Sequence, residues 1–132
     1  MYHAVSQGAL AIEVRAEDQE AIELCRKINH RETAWTCTAE RACLRVLEGG
    51  CSVPVGVASE IVQGENGHVL RLTGCVTSVD GRSHVEHTLE DRVESLDDAE
   101  EEGVKLAKKL LEDGAKGILD EMNAYRQRKV AV

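Results

Sequence analysis

The chain contains no phenylalanine, and its aromatic side chains are confined to Tyr2, Trp35 and Tyr125. A core built almost without rings must be filled by leucine, valine, isoleucine and alanine, each of which buries less area than an aromatic side chain. An excess of positive charge is also missing: 16 Lys and Arg stand against 24 Asp and Glu, a net charge of -8. Nucleic acids and anionic membrane surfaces are bound through clustered cations, so neither is an expected partner. No apolar run reaches the ~18 residues that span a bilayer and no signal-peptide core opens the chain, which therefore reads as cytoplasmic. Cys-x-x-Cys pairs are absent too. The five cysteines, Cys25, Cys37, Cys43, Cys51 and Cys75, form an odd set that fits reduced thiols better than a disulfide framework. His3, His30, His68, His84 and His87 hold no zinc-ligand spacing with them, and no metal is expected.

What is present is a chain of 132 residues with neither repeats nor a low-complexity linker. That length supports one modest core burying roughly two thirds of the unfolded surface. Leu10, Ile12 and Val14 alternate with Ala11 and Glu13, the period of a strand ending at Arg15, but this strand has no evident neighbour and is expected to be the least well packed part. Ala21, Ile22, Cys25 and Ile28 place a short helix over 18–28. A longer helix over 33–47 carries Ala39, Ala42, Cys43, Val46 and Leu47 on its better core stripe.

Three strand-like runs follow, at 53–62, 68–77 and 83–93. Gln63-Gly64-Glu65-Asn66-Gly67 and Val79-Asp80-Gly81-Arg82 join them as antiparallel hairpins. Ser95 is a good N-cap with Asp98 at N3, and the acidic residues from Glu94 to Glu102 suit the positive end of the helix dipole. That helix is expected to run to residue 113. Gly114 stops it, and a last helix over 115–125 buries Ile118, Leu119 and Met122 ahead of a fraying polar tail. The fold class expected is α+β: a three-stranded antiparallel sheet with helices covering one face, preceded by a stray strand and helix.

The segment that carries chemistry is Glu48-Gly49-Gly50-Cys51-Ser52-Val53-Pro54, directly behind the longer helix. Two glycines end that helix and turn the backbone sharply, which predicts Cys51 at an exposed loop tip, where a thiol is free for covalent chemistry. The plain alternative is an ordinary loop cysteine.

Ala39-Glu40-Arg41-Ala42-Cys43-Leu44-Arg45, continuing through Leu47-Glu48-Gly49-Gly50-Cys51-Ser52-Val53-Pro54-Val55, resembles the cofactor-attachment segment of the hydroxymethylbilane synthase family, also called porphobilinogen deaminase. Upstream, Val5-Ser6-Gln7-Gly8-Ala9-Leu10-Ala11-Ile12-Glu13-Val14-Arg15 is similar to the same family's strand that ends in a substrate-contacting arginine. Gly114-Ala115-Lys116-Gly117-Ile118-Leu119 is similar to its closing helix. The likeness covers residues 2 to about 122. Ser6 and Ala11 stand where the family often has glycine, and Cys43 replaces a larger apolar residue. Family members are roughly two to three times as long and fold as three domains, so the chain is expected to be a fragment or truncated product.

The resemblance implies that Cys51 holds a dipyrromethane cofactor through a thioether, on which porphobilinogen units are joined with loss of ammonia. It implies substrate or cofactor contacts at Arg15 and Gln7, with Arg41 and Ser52 as further candidates. Guanidinium suits the acetate and propionate of each pyrrole better than an ammonium does. The family's proton-handling aspartate has no match, so no catalytic residue is expected within this chain. The expected partners are porphobilinogen with the growing pyrrole chain, and the N-terminal domains of the same enzyme. On this reading residues 1–30 are a remnant strand and connecting helix of the preceding domain, 31–125 the C-terminal cofactor-carrying domain, and 126–132 a polar tail. Two other readings stand beside it: an inactive truncated domain that only docks to the missing domains, and an unrelated thiol enzyme pairing Cys51 with His30 or His68.

Overall fold

The computed structural model describes residues 2–47, 54–64 and 67–130. Its elements are α1 (Gln19–Arg26), α2 (Arg31–Val46), β1 (Val55–Gly64), β2 (Gly67–Thr77), β3 (His84–Arg92), α3 (Leu96–Leu110) and α4 (Lys116–Val130). The strands form one antiparallel sheet in the order β1-β2-β3. Both hairpins form where the turn residues predict them, with Gly64 opposite Gly67 and Thr77 opposite His84.

The period-two pattern fixes which face is covered. Val57 on β1 and Leu70, Leu72 and Val76 on β2 point under the helices and are buried. On the other face Arg71 bridges Glu60 at 3.1 Å and Glu90 at 2.6 Å, and the Thr73 and Thr88 hydroxyls meet at 2.8 Å. Helices α2 and α3 cover the apolar face, with Trp35, Ala39, Ala42, Cys43, Leu106, Ala107 and Leu110 buried among them. The core stripe expected on α2 is the one used. Trp35 supplies the core's only aromatic ring; it meets His68 edge to face at 5.5 Å and lies beneath the Arg31 guanidinium at 4.7 Å.

Gly103 sets the spacing of α2 and α3. A Cβ built there would lie 2.1 Å from the Ala39 carbonyl oxygen and 2.9 Å from the Ala42 Cβ, so the helices approach as closely as they do only because this position has no side chain. Helix α3 opens with the expected box: Ser95 Oγ accepts from Asp98 N at 3.1 Å, and the Asp98 carboxylate accepts from the amides of Glu94 and Ser95, each at 2.9 Å.

Two expectations need correction. No strand or helix forms over residues 10–15; the strand expected there requires a partner ladder, and the leading segment makes a single bridge, His3 to Val57. The last helix does not end near Tyr125 but continues through Val130, because no glycine or proline follows Tyr125 to stop it. The stop at Gly114 is real. Its φ of 109° closes a wide π-type turn, Leu111–Ala115, between α3 and α4.

Candidate functional site

Cys51 and Ser52 lie outside the described residues, so the site is built from the segments around them. Residues 4–9 form a tight turn in which Gln7 N donates to Ala4 O at 3.0 Å and Ala9 N to Ser6 O at 3.1 Å. Ser6 and Gly8 both take left-handed backbone, φ 56° and 80°. Glycine adopts this region freely, whereas a side chain there costs roughly 1–2 kcal/mol. The departure Ser6, at a position where glycine is usual in the resembling family, thus falls on a residue whose conformation favours glycine.

The turn is fastened at three points. Val57 N donates to His3 O at 3.0 Å, joining the leading segment to β1. Tyr2 packs over Gly56, where an added Cβ would fall 2.8 Å from the Tyr2 Cβ, and the Glu86 carboxylate near its hydroxyl raises the phenol pKa. The third fastening is Glu40, on the α2 face toward the turn. Its Oε2 accepts from Ser6 N at 2.5 Å and its Oε1 accepts from the Ser59 hydroxyl.

Two adjoining grooves flank the turn and share Ser6, Ala9, Thr33 and Cys37. One, of about 440 Å³, is lined by Gln7, Glu40 and Ser59; the other, of about 620 Å³, by Leu10, Ile12, Cys25, His30 and Arg41. Gln7 and Arg41 are therefore brought to neighbouring grooves, and both are exposed. Arg15 is exposed as well but lines neither groove. Beyond the turn Leu10 is 99% and Ile12 63% exposed, an unusual state for large aliphatic side chains in sequence.

Several other charged, imidazole and thiol side chains on and around α2 have local partners or are buried. Arg45 is drawn to Glu100 of α3 at 2.5 Å. His30 caps α2, accepting from Thr33 N at 3.3 Å, while His68 packs on Trp35 and lies 3.5 Å from Glu32. Burial, with Glu40 nearby, pushes the Cys43 thiol up to about 12, so Cys43 is an inert core residue rather than a nucleophile. Among the described residues no group of three or more His, Cys, Asp or Glu is arranged to hold a metal, and no helix is long and apolar enough to cross a membrane. Sequence reasoning passed over Glu40. Its position beside Arg41 in the attachment-like segment was on view, but its partners lie 34 and 19 residues away.

A three-stranded antiparallel sheet covered on one face by helices, with a polar turn pinned beside two grooves, defines an α+β domain. Comparison with known proteins gives the family. The family model described as "Porphobilinogen deaminase, C-terminal domain" matches residues 34–112. A porphobilinogen deaminase of a Nostoc species is 50% identical over 126 residues, covering 96% of this chain and 37% of the relative. That of Schizosaccharomyces pombe is 43% identical over 122 residues, 92% of this chain and 36% of the relative. That of Synechococcus elongatus is 50% identical over 123 residues, again 92% and 36%. The chain belongs to the porphobilinogen deaminase family and corresponds to the C-terminal part of these relatives. It spans a little over a third of their length.

Proposed function

We propose that this chain is the cofactor-anchoring part of a transferase that joins four porphobilinogen units into hydroxymethylbilane with release of ammonia, and that it is inactive by itself. The observation that carries the reading is the family match, which runs through the segment holding Glu48-Gly49-Gly50-Cys51. On this reading residues 1–30 are a remnant of the preceding domain, 31–125 the anchoring domain and 126–132 its tail. Its compartment is the cytoplasm.

The donor set fits a dipyrromethane in kind but not in number. Each pyrrole carries an acetate and a propionate, and the groups offered here are the Gln7 amide beside one groove, the Arg41 guanidinium beside the other, and Arg15 beyond them. Cys51 would hold the group through its sulfur, which must be a thiolate to bond carbon. Ser52 would lie beside that bond. The bound group would supply the pyrrole carbon on which the product is extended. The chain's own part is to tether it, to present an amide and guanidinium to ring carboxylates, and to close one side of the cleft. Other carboxylate clamps, and an anionic carboxylate to steady the pyrrole cation, would belong to the rest of the enzyme.

A second reading, a domain that only docks, is favoured by the exposure of Leu10, Ile12, Leu24 and Ile28, aliphatic side chains suited to cover by another domain. Assay with porphobilinogen separates the two. The chain alone should give no hydroxymethylbilane, and addition of the N-terminal two thirds of a relative should restore turnover that a Cys51→Ala variant lacks. Turnover by the chain alone would refute its inactivity, and equal restoration by Cys51→Ala would leave docking as its role.

A further inference from the structure

We propose that Glu40 is a positioning residue: its carboxylate clamps the turn that carries Gln7 onto α2 and β1, and so fixes where the Gln7 amide faces the bound cofactor. The proposal rests on the reading of Gln7 as a cofactor contact. Its geometry stands independently. One oxygen of Glu40 takes the Ser6 amide at 2.5 Å and the other takes the Ser59 hydroxyl, so a single carboxylate joins three separate stretches of chain. Gln7 immediately follows the clamped amide, and Gln7, Glu40 and Ser59 line the same groove. The clamped residue has left-handed backbone at φ 56°, a conformation unfavourable for serine that persists where the surroundings hold it. Hydrogen bonds to a charged acceptor are about twice as strong as neutral ones, which gives the clamp the strength to do so. Glu40 also sits on the helix that leads toward Cys51. The clamp therefore sets the amide-bearing turn, α2 and β1 in one frame, and a misplacement of about 1 Å in such a frame is costly to chemistry.

Amide hydrogen exchange on the chain tests this. Glu40→Ala should raise exchange at Ser6, Gln7 and Ala9 by about tenfold or more, while the amides of Ala39 and Cys43 on α2 keep their protection. Glu40→Gln should restore slow exchange, since its carbonyl still accepts from Ser6 and its amide can donate to the Ser59 oxygen. Ser59→Ala, a milder change, should give a smaller rise confined to the same turn. Unchanged exchange in the turn for both Glu40→Ala and Ser59→Ala, or a loss spread evenly through α2, would overturn the assignment. In the reconstituted enzyme Glu40→Ala should lower turnover while leaving Cys51 loaded, with Glu40→Gln recovering most of it; full turnover with Glu40→Ala would also overturn it. The exchange pattern is read on the chain alone, so a failed reconstitution bears on the cofactor-anchoring reading and a failed exchange pattern on Glu40.

Discussion

Ser6 shows how far a single residue can be read. The sequence places it where glycine is usual in the resembling family, and the structure supplies the reason: φ is 56° and the hydroxyl, although buried, has no hydrogen-bond partner. A left-handed backbone costs a non-glycine residue roughly 1–2 kcal/mol, and a buried unsatisfied polar group costs about 1–3 kcal/mol. Glycine would relieve both, at the expense of a more flexible unfolded chain. Ser6→Gly is expected to stabilise the chain by about 1 kcal/mol, read as a higher denaturant midpoint with unchanged slope. A lower midpoint would show that the hydroxyl contributes something its surroundings do not reveal. Cys51 is singled out by its glycine turn as well as by resemblance, whereas Gln7 and Arg15 are proposed as contacts through resemblance alone. Periodicity carries no information on such contacts, and the structure places Gln7 and Arg41 at adjoining grooves while leaving Arg15 outside both. Glu40 was not legible, because a carboxylate that reaches across 34 residues of sequence leaves no local signature.

The elements that sequence reads well are those governed by short-range rules. Period two gave the three strands, glycine-bearing turns gave both hairpins, and Ser95 with Asp98 gave the start of α3. The strand expected over 10–15 failed because alternation describes a face, not a partner, and the ladder must come from elsewhere in the fold. Close packing of α2 on α3 likewise hides in a single letter. Gly103→Ala improves helix propensity by about 1 kcal/mol, but it puts a methyl 2.1 Å from the Ala39 carbonyl oxygen. Overpacking costs typically ~1–3 kcal/mol, and more where backbone must shift, so the variant is expected to lower the denaturant midpoint; an increase would mean that the two helices part without penalty. The α3 cap carries a pH signature. The amide of Glu94, the Ser95 hydroxyl and the amide of Ser95 hold the Asp98 carboxyl below its ordinary value of 3.8. The unfolded chain then binds more protons than the folded one in that window. The cap's contribution is complete above the unfolded value and is lost as pH falls through the folded one. Asp98→Asn should flatten this acid limb of the stability profile, and an unaltered limb would place the titration elsewhere.

The molecule as a whole is a small core with an apolar fringe. Leu70, Leu72, Leu106 and Leu110 are fully enclosed, whereas Leu10, Ile12, Leu24 and Ile28 stand in solvent. No residue of α1 is buried. The chain spans little more than a third of its relatives' length, and such a fringe is what the proposed function expects where further domains would dock. Under the proposed function the same partial coverage bears on the chemistry. Holding an electrophilic pyrrole against a sulfur is the kind of positioning that in the best cases contributes on the order of 7–11 kcal/mol, and one amide with two exposed arginines does not supply the full set of carboxylate contacts. The central claim is that Cys51 is a cofactor anchor that cannot load itself. Intact mass and peptide mapping of the chain after incubation with porphobilinogen, with and without the N-terminal two thirds of a relative, test it most directly. The account predicts an unmodified Cys51 in the chain alone and a dipyrromethane adduct on Cys51 when the other part is present; an adduct formed by the chain alone, or one found on any residue other than Cys51, would contradict it.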